Sequence, residues 1–297
     1  MSTPVLDVSD LQVELITPAG VVRAVDGVSF TVGRGETVTL IGESGSGKST
    51  TAMALLRLLP DDLAVLSGHA RLNGVDVVAD RKGIDRLRGR TVALVPQDPM
   101  TALNPIRTIG RQMVQAIRIR RPELSRSAAS DRAVSLLEQV HILDPRRRLK
   151  AYPHELSGGM LQRVLIAMAI SAEAELLVAD EPTSALDVTV QAGILDLMLE
   201  LQETTGIAIM LITHDLGVAR LMSDRIHVMR AGRFVESGDA EEIVRNPQNP
   251  YTQQLLAAIP DLGEWDDPAL ERPELAAAAA AAAVVETHPG LAEEASR

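Results

Sequence analysis

The stretch Gly42-Glu43-Ser44-Gly45-Ser46-Gly47-Lys48-Ser49 matches the phosphate-loop pattern G-x-x-x-x-G-K-[ST] at every position. Its glycines let backbone N–H groups turn inward on phosphate oxygens, and a helix starting at its end adds a positive dipole. In that frame Lys48 reaches the β- and γ-phosphates, and the Ser49 hydroxyl takes one position on Mg²⁺. Thr50 closes the nucleotide-binding set. The plain alternative is a Gly/Ser-rich turn, and the flanks decide between them. Glu36 to Ile41 reads as a short buried strand, because apolar and β-branched residues run there without a helical period. Thr50 to Leu59 reads as a helix. The strand, glycine loop and helix together predict a nucleotide site.

Two further stretches carry chemistry. In Glu175-Leu-Leu-Val-Ala-Asp180-Glu181-Pro182 an apolar strand ends in two acids. This is how a phosphate-loop enzyme presents one carboxylate to Mg²⁺ and a second to an attacking water. Asp180 is the expected metal residue and Glu181 the expected base. An apolar run ending in Asp-Glu-Pro is also how many strands enter turns, so the pair gains its meaning from the upstream loop. In Leu156-Ser157-Gly158-Gly159-Met160-Leu161-Gln162-Arg163 a serine and two glycines precede a helix. Alone they read as an ordinary N-cap. They also make a second anion site. A chain with two such loops either binds two nucleotides or offers the second loop to another molecule.

The elements that must position these residues alternate in kind. The opening is β-rich, with Val5 to Leu15 and Val21 to Val32 separated by the turn Pro18-Ala19-Gly20. His69 to Leu72 and Val75 to Val77 flank Asn73-Gly74, a hairpin signal. Thr91 to Val95 is a buried strand ending at Pro96-Gln97. Strand signals then vanish, and Arg107 to Arg121 and Ser127 to Val140 take helical spacing with Pro122 and Pro145 as breakers. Alternation resumes with a helix at Gly159 to Ala172, a strand at Leu176 to Ala179, a helix at Val188 to Thr204 and a strand at Ile207 to Ile212. Arg225 to Met229 and Arg233 to Glu236 flank Ala231-Gly232 like a hairpin. The pattern predicts an α/β fold with a helical insertion.

Composition sets the bounds. The 297 residues suffice for one large or two modest domains, and no apolar run approaches the roughly 20 residues of a membrane span. The N-terminus has neither the basic nor the apolar region of a signal peptide. With no cysteines there are no disulfides or thiolate metal sites, which fits a reducing compartment. The net charge of −11 argues against a nucleic-acid partner. Charge is uneven, with eleven bases against four acids from Arg107 to Lys150 and nine acids against two arginines from Asp261 to Arg297. The basic middle reads as a solvated helical face, or as a surface for anionic lipid or an acidic subunit.

Taken in order, the phosphate loop, Gln97, Leu-Ser-Gly-Gly, Asp180-Glu181, Ser184-Ala185-Leu186-Asp187 and His214 resemble one family, the ATP-binding cassette (ABC) ATPases. The resemblance runs from about residue 5 to about residue 260. It implies a RecA-like phosphate-loop core with an antiparallel β subdomain and a helical insertion, and it implies ATP and Mg²⁺ as ligands. By resemblance, Gln97 touches Mg²⁺ and the attacking water and links the core to the insertion. Ser157, Gly158 and Gly159, with Gln162 of the same motif, face the γ-phosphate across a dimer interface. Asp187 ends a loop lining the facing subunit's site, and His214 contacts the γ-phosphate.

A finer resemblance is to the cassettes of dipeptide, oligopeptide and nickel importers. It rests on Gln97-Asp-Pro-Met-Thr-Ala-Leu-Asn-Pro105 and on Asn249-Pro-Tyr-Thr-Gln-Gln-Leu-Leu256. The chain departs from that pattern in lacking the cysteine-bearing motif after the second segment. It also lacks an aromatic in Ile16 to Val22, where the family stacks adenine. Adenine is therefore expected on aliphatic surface such as Val25. The resemblance implies an ABC domain over residues 1–246 with its insertion at about 98–165, an importer-type segment over 247–264, and an acidic, alanine-rich tail over 265–297. It further implies a peripheral ATPase subunit at the cytoplasmic face of the membrane. That subunit would pair with a paralogous cassette, or with its own copy. It would serve two transmembrane permease subunits and, indirectly, an extracytoplasmic solute-binding protein. The rival reading is a soluble ABC ATPase of DNA repair or translation. Such proteins usually show a long coiled-coil insertion or two cassettes in one chain, and this sequence shows neither.

Overall fold

The structure is a computed structural model that describes residues 3–184 and 186–257. The alanine-rich tail expected over 265–297 lies outside the described residues, as do the last residues of the importer-type segment.

Two sheets organise the chain. The first grows from a long hairpin, β1 (Leu6–Thr17) and β2 (Gly20–Val32), whose ends meet at Thr17 opposite Gly20. The chain then enters β3 (Thr37–Ile41), the phosphate loop and α1 (Lys48–Leu55). It returns to the first sheet through β4 (Ala64–Leu72) and β5 (Val75–Asp76), giving the antiparallel order β2-β1-β4-β5. The helix expected to Leu59 stops early because Arg57 takes a left-handed backbone, φ 51°. The hairpin at Asn73-Gly74 forms as expected, on a longer first strand.

After α2 (Arg81–Leu87) comes β6 (Val92–Val95), and then a strandless run that opens with four helices. These are α3 (Pro99–Ala102), α4 (Ile109–Arg120), α5 (Arg126–Gln139) and α6 (Pro145–Arg148). Their spacing explains them. Ile109, Met113 and Ile117 form the buried stripe of α4, and Ala129, Ala133, Leu136 and Leu137 that of α5. Thr108 and Ser125 cap the two helices, each accepting a hydrogen bond from a first-turn N–H. Six cations of this insertion (Arg107, Arg111, Arg118, Arg126, Arg146 and Lys150) line a cleft of about 980 Å³. The basic middle is therefore concave as well as solvated.

The second sheet is completed by α7 (Gly158–Ser171), β7 (Leu176–Asp180), α8 (Val188–Thr205), β8 (Ala208–Thr213), α9 (Leu216–Met222), β9 (Arg225–Arg230) and β10 (Arg233–Asp239). Its order is β10-β9-β3-β8-β7-β6, parallel except for the edge strand β10. Every residue of β3, β7 and β8 is buried, as parallel strands covered on both faces require. Two short helices close the described chain, α10 (Ala240–Arg245) and α11 (Pro250–Ala257). Among the described residues, no helix is long and apolar enough to cross a membrane.

One polar group sits deep in this packing. His227 on β9 is 6% exposed, stacks on Phe234 at 4.7 Å and 17°, and shares a 2.7 Å hydrogen bond through Nδ1 with Ser237. Burial, aided by the Arg225 charge, pushes its pKa down to about 4. In the unfolded chain the imidazole takes its proton near 6.5, so protonation favours unfolding. The neutral ring's contribution is intact above about pH 6.5 and is lost as pH falls toward about 4, to a limit of roughly 3 kcal/mol. The melting temperature of His227→Phe should therefore fall less between pH 6.5 and pH 4 than that of the unsubstituted chain. Parallel curves would contradict this.

Candidate functional site

Where β3 ends, Gly42, Gly45 and Gly47 take positive φ values of 149°, 79° and 110°. The space demands glycine at two of them. A Cβ on Gly42 would run into the Met229 carbonyl, and one on Gly47 into the Ala24 carbonyl and the Met229 side chain. The loop is pinned further where the Gly232 N–H donates to the Ser46 carbonyl at 2.9 Å. The β1–β2 sheet and the β9–β10 turn thus press the loop into a cradle.

Lys48, only 4% exposed, begins α1 and folds back on this loop. Its ammonium donates to the Gly42 carbonyl at 2.7 Å and to the Glu43 carbonyl at 2.9 Å. Burial holds its pKa below the usual lysine value, against the opposing charges of Glu181 and Asp180. The Ser49 hydroxyl donates to Asp180 Oδ1 at 2.8 Å. Asp180 is 3% exposed, and burial pushes its pKa up, with Glu181 adding to the rise and the Ser49 bond and Lys48 opposing it.

Asp180 and Glu181 are adjacent, and in an extended strand their side chains would point to opposite faces. Asp180 stays buried on Ser49, and Glu181 turns into the cleft because it takes a left-handed backbone, φ 46°, uncommon for a residue with a side chain. The turn is held from both sides. The Glu181 N–H donates to the Ile212 carbonyl at 2.8 Å, and its own carbonyl accepts from Ser184. Glu181 Oε2 then accepts from Gln97 Nε2 at 3.0 Å and lies 3.2 Å from His214 Nδ1. Gln97 arrives from the end of β6 and His214 from the end of β8. Such strain at one backbone position is a common mark of a working carboxylate.

These side chains line a cleft of about 910 Å³ with the loop residues Gly42, Glu43, Ser44, Gly45, Gly47 and Thr50. Ser46 lies behind them, 5% exposed, and its Oγ has no partner among the described residues. The glycine cradle with the Lys48 ammonium folded on it fits a phosphate-bearing ligand. The far wall is Leu15, Val22, Arg23, Ala24 and Leu255, without an aromatic. Val25, the expected adenine surface, is fully buried and faces the core instead. Val22, three residues earlier and half exposed, lines the cleft, on the far side of a register shift between β1 and β2.

The remaining expected residues lie elsewhere. None of Ser157, Gly158, Gly159 and Gln162 lines this cleft. Ser157 caps α7, its Oγ accepting from the Met160 N–H, and both it and Gly158 are exposed. Gly159 packs so closely on Val190 that a Cβ would collide. Gln162 is 1% exposed, with no partner for its Nε2 among the described residues. Asp187 caps α8, its carboxylate accepting from the Val190 N–H at 3.0 Å. The structure also brings in a residue that motif reading missed. Tyr251 of α11 accepts a hydrogen bond from the Glu43 N–H at 3.2 Å.

A buried lysine folded on a glycine cradle, answered by paired acids at the end of β7, one strand removed from β3, defines a RecA-like phosphate-loop ATPase domain. Comparison with known proteins narrows this. The ABC transporter family profile matches residues 25–184, and the profile of the oligopeptide/dipeptide transporter C-terminal region matches residues 235–284. The oligopeptide transport ATP-binding protein OppD of Mycobacterium tuberculosis is 48% identical over 262 residues, 88% of this chain and 42% of that protein. OppD of Bacillus subtilis is 46% identical over 262 residues, 88% of this chain and 73% of that protein. This chain thus spans less than half the length of the mycobacterial relative. A dimeric ATP-binding cassette in a post-hydrolysis state, bound to ADP and Pi, superimposes with a TM-score of 0.71 at 26% identity, covering 79% of this chain and 98% of that one. The cbiO1 subunit of Clostridium perfringens superimposes with a TM-score of 0.68 at 28% identity, covering 82% and 92%. The chain belongs to the ABC transporter family, and its fold is that of the ABC ATPase cassette.

The loop geometry makes a specific prediction. Gly45 and Gly47 both have positive φ, but only Gly47 lacks room for a Cβ. Gly45→Ala should cost about 1 kcal/mol of backbone strain. Gly47→Ala should cost that plus about 1–3 kcal/mol of overpacking, and should weaken nucleotide binding as well. Urea denaturation of both variants checks this, and equal losses would contradict it.

Proposed function

We propose that this chain is the ATP-hydrolysing subunit of an ABC importer for peptides, working as one half of a pair of cassettes. The observation that carries the reading is the division of its motifs. Lys48, Ser49, Gln97, Glu181 and His214 share one cleft, with Asp180 buried behind Ser49, while the loop at Ser157 is exposed and outside it. A second cassette would bring its own Leu-Ser-Gly-Gly loop over this cleft and take this chain's loop over its own.

In this reading the N–H groups of the loop and the Lys48 ammonium bind the β- and γ-phosphates of ATP. Ser49 Oγ and Asp180 Oδ1 form a hard oxygen set of the kind Mg²⁺ takes, with the Gln97 amide nearby. The ion's part is to neutralise charge developing on the phosphates. Glu181 is the general base. Gln97 and His214 hold its carboxylate on the cleft side, and His214 also contacts the γ-phosphate. Adenine rests on Val22 and Leu255. Ser157, Gly158 and Gly159 act on the facing cassette's nucleotide, with Gln162 supporting that loop from within, and Asp187 lines the facing site.

For the solute, the relatives' names favour peptides over nickel, and the match to the oligopeptide/dipeptide transporter C-terminal region supports the same choice. The soluble repair or translation reading has no such support. The partners are a second cassette (a paralogue or another copy), two permease subunits and, indirectly, a solute-binding protein. The subunit sits at the cytoplasmic face of the membrane, and its helical insertion meets the permeases.

In the assembled transporter Glu181→Gln should bind ATP normally yet lower kcat by about 10²- to 10⁴-fold, because the water loses its base. Lys48→Ala should instead weaken nucleotide binding. Alone, the chain should be a poor ATPase, and its partners should raise turnover strongly. Near-normal turnover by Glu181→Gln would overturn the assigned role. Full activity in the isolated monomer would overturn the paired-cassette reading.

A further inference from the structure

The C-terminal helix reaches the phosphate loop itself through Tyr251, a contact the scheme above does not use. Tyr251 is 5% exposed on α11, and its hydroxyl accepts the Glu43 N–H at 3.2 Å. The Arg230 guanidinium lies 4.7 Å from the centre of its ring. The ring packs with Ile41, the last residue before the loop, and with Ile226 and Val228 of β9. The start of α11 is itself anchored. Asn249 Oδ1 accepts from the Tyr251 N–H at 2.9 Å, and its Nδ2 donates to the Val235 carbonyl at 3.2 Å. The Glu236 carboxylate accepts from the Gln248 N–H at 2.6 Å and the Asn249 N–H at 3.1 Å. One helical turn beyond Tyr251, Leu255 enters the wall of the nucleotide cleft.

The residue held by Tyr251 is not an arbitrary one. The Glu43 carbonyl accepts from the Lys48 ammonium at 2.9 Å and from the Ser46 N–H at 3.2 Å. Glu43 is thus fixed at its N–H by α11 and at its carbonyl by the phosphate-binding lysine. A half-buried N–H left without an acceptor is costly, so the loop would turn Glu43 to satisfy it elsewhere. Lys48 would then lose one of its two carbonyl partners.

We propose that Tyr251 is a positioning residue for the nucleotide site. Its phenol oxygen sets the orientation of Glu43, and through Glu43 the seat of the Lys48 ammonium. Leu255 on the same helix closes the cleft. The C-terminal segment is then a working part of the ATP site as well as a covering for the core. This rests on the reading of the cleft as an ATP site.

The test uses the full chain with Mg²⁺-ATP, following binding by calorimetry alongside thermal melting. Tyr251→Phe keeps the ring beneath Arg230 and removes only the hydroxyl. Its nucleotide dissociation constant should rise about 3- to 10-fold while its melting temperature in the absence of nucleotide stays near that of the unsubstituted chain. In the assembled transporter the KM for ATP should rise by a similar factor with kcat little changed. Leu255→Ala should weaken binding without altering the Lys48 seat, so its loss should add to that of Tyr251→Phe in the double variant. Unchanged affinity in Tyr251→Phe would overturn the proposal, and so would a loss of affinity matched by a general loss of melting temperature. No nucleotide binding by the unsubstituted chain would instead sink the ATP-site reading beneath it.

Discussion

The parallel register of four buried strands is what the whole site rests on. Ile41 pairs with Thr213, Asp180 with Ile212, and Val95 with Ala179, so β3, β8, β7 and β6 end along one edge of the sheet. The residues just past those ends are Gly42, His214, Glu181 and the Pro96-Gln97 pair. Chemistry from four distant parts of the chain meets because the strands are held level. The holding force is apolar. Every residue of the three central strands is buried, and parallel strands covered on both faces have little freedom to slip. A one-residue slip of β7 would carry Asp180 away from Ser49 and turn Glu181 out of the cleft.

Two local constraints refine what the register supplies. The crowding of the glycine loop between the Ala24 and Met229 carbonyls ties it to the antiparallel sheet on one side and the β9–β10 turn on the other. The left-handed backbone at Glu181 breaks strand alternation and turns its carboxylate into the cleft. Ser49 bonds the buried Asp180, Gln97 and His214 meet Glu181, and the buried Lys48 ammonium bonds the loop carbonyls. Removing one leaves a partner short of its bond.

Much of this was legible in the sequence, for stated physical reasons. The buried strands announced themselves as apolar runs bounded by Gly and Pro, and the insertion as a stretch of helical spacing without strand signal. The phosphate loop and the paired acids were readable because glycine and carboxylate chemistry demands particular residues at fixed spacing. Other features were out of reach. Helix α2 and helix α9 are only seven residues long, too short for a periodic pattern. The expectation of Val25 failed because a register shift in the β1–β2 hairpin, which no local pattern marks, leaves Val25 in the core and Val22 facing out. Tyr251 was quoted as part of a segment, but its partner is a backbone N–H more than two hundred residues earlier. No local pattern marks such a contact.

In the proposed pair of cassettes this chain carries halves of two different sites, and Ser157 serves a phosphate loop on the other cassette. The chain has no cysteines, which makes paired cysteine substitution unambiguous. The direct measurement is oxidative cross-linking with Ser44→Cys and Ser157→Cys, placed together in one chain or separately on facing cassettes in a Glu181→Gln background. No disulfide should form within a chain, with or without ATP. An ATP-dependent disulfide should form between Ser157→Cys of one cassette and the phosphate-loop cysteine of its neighbour. Rapid cross-linking within a single chain, with none between chains, would contradict the pairing.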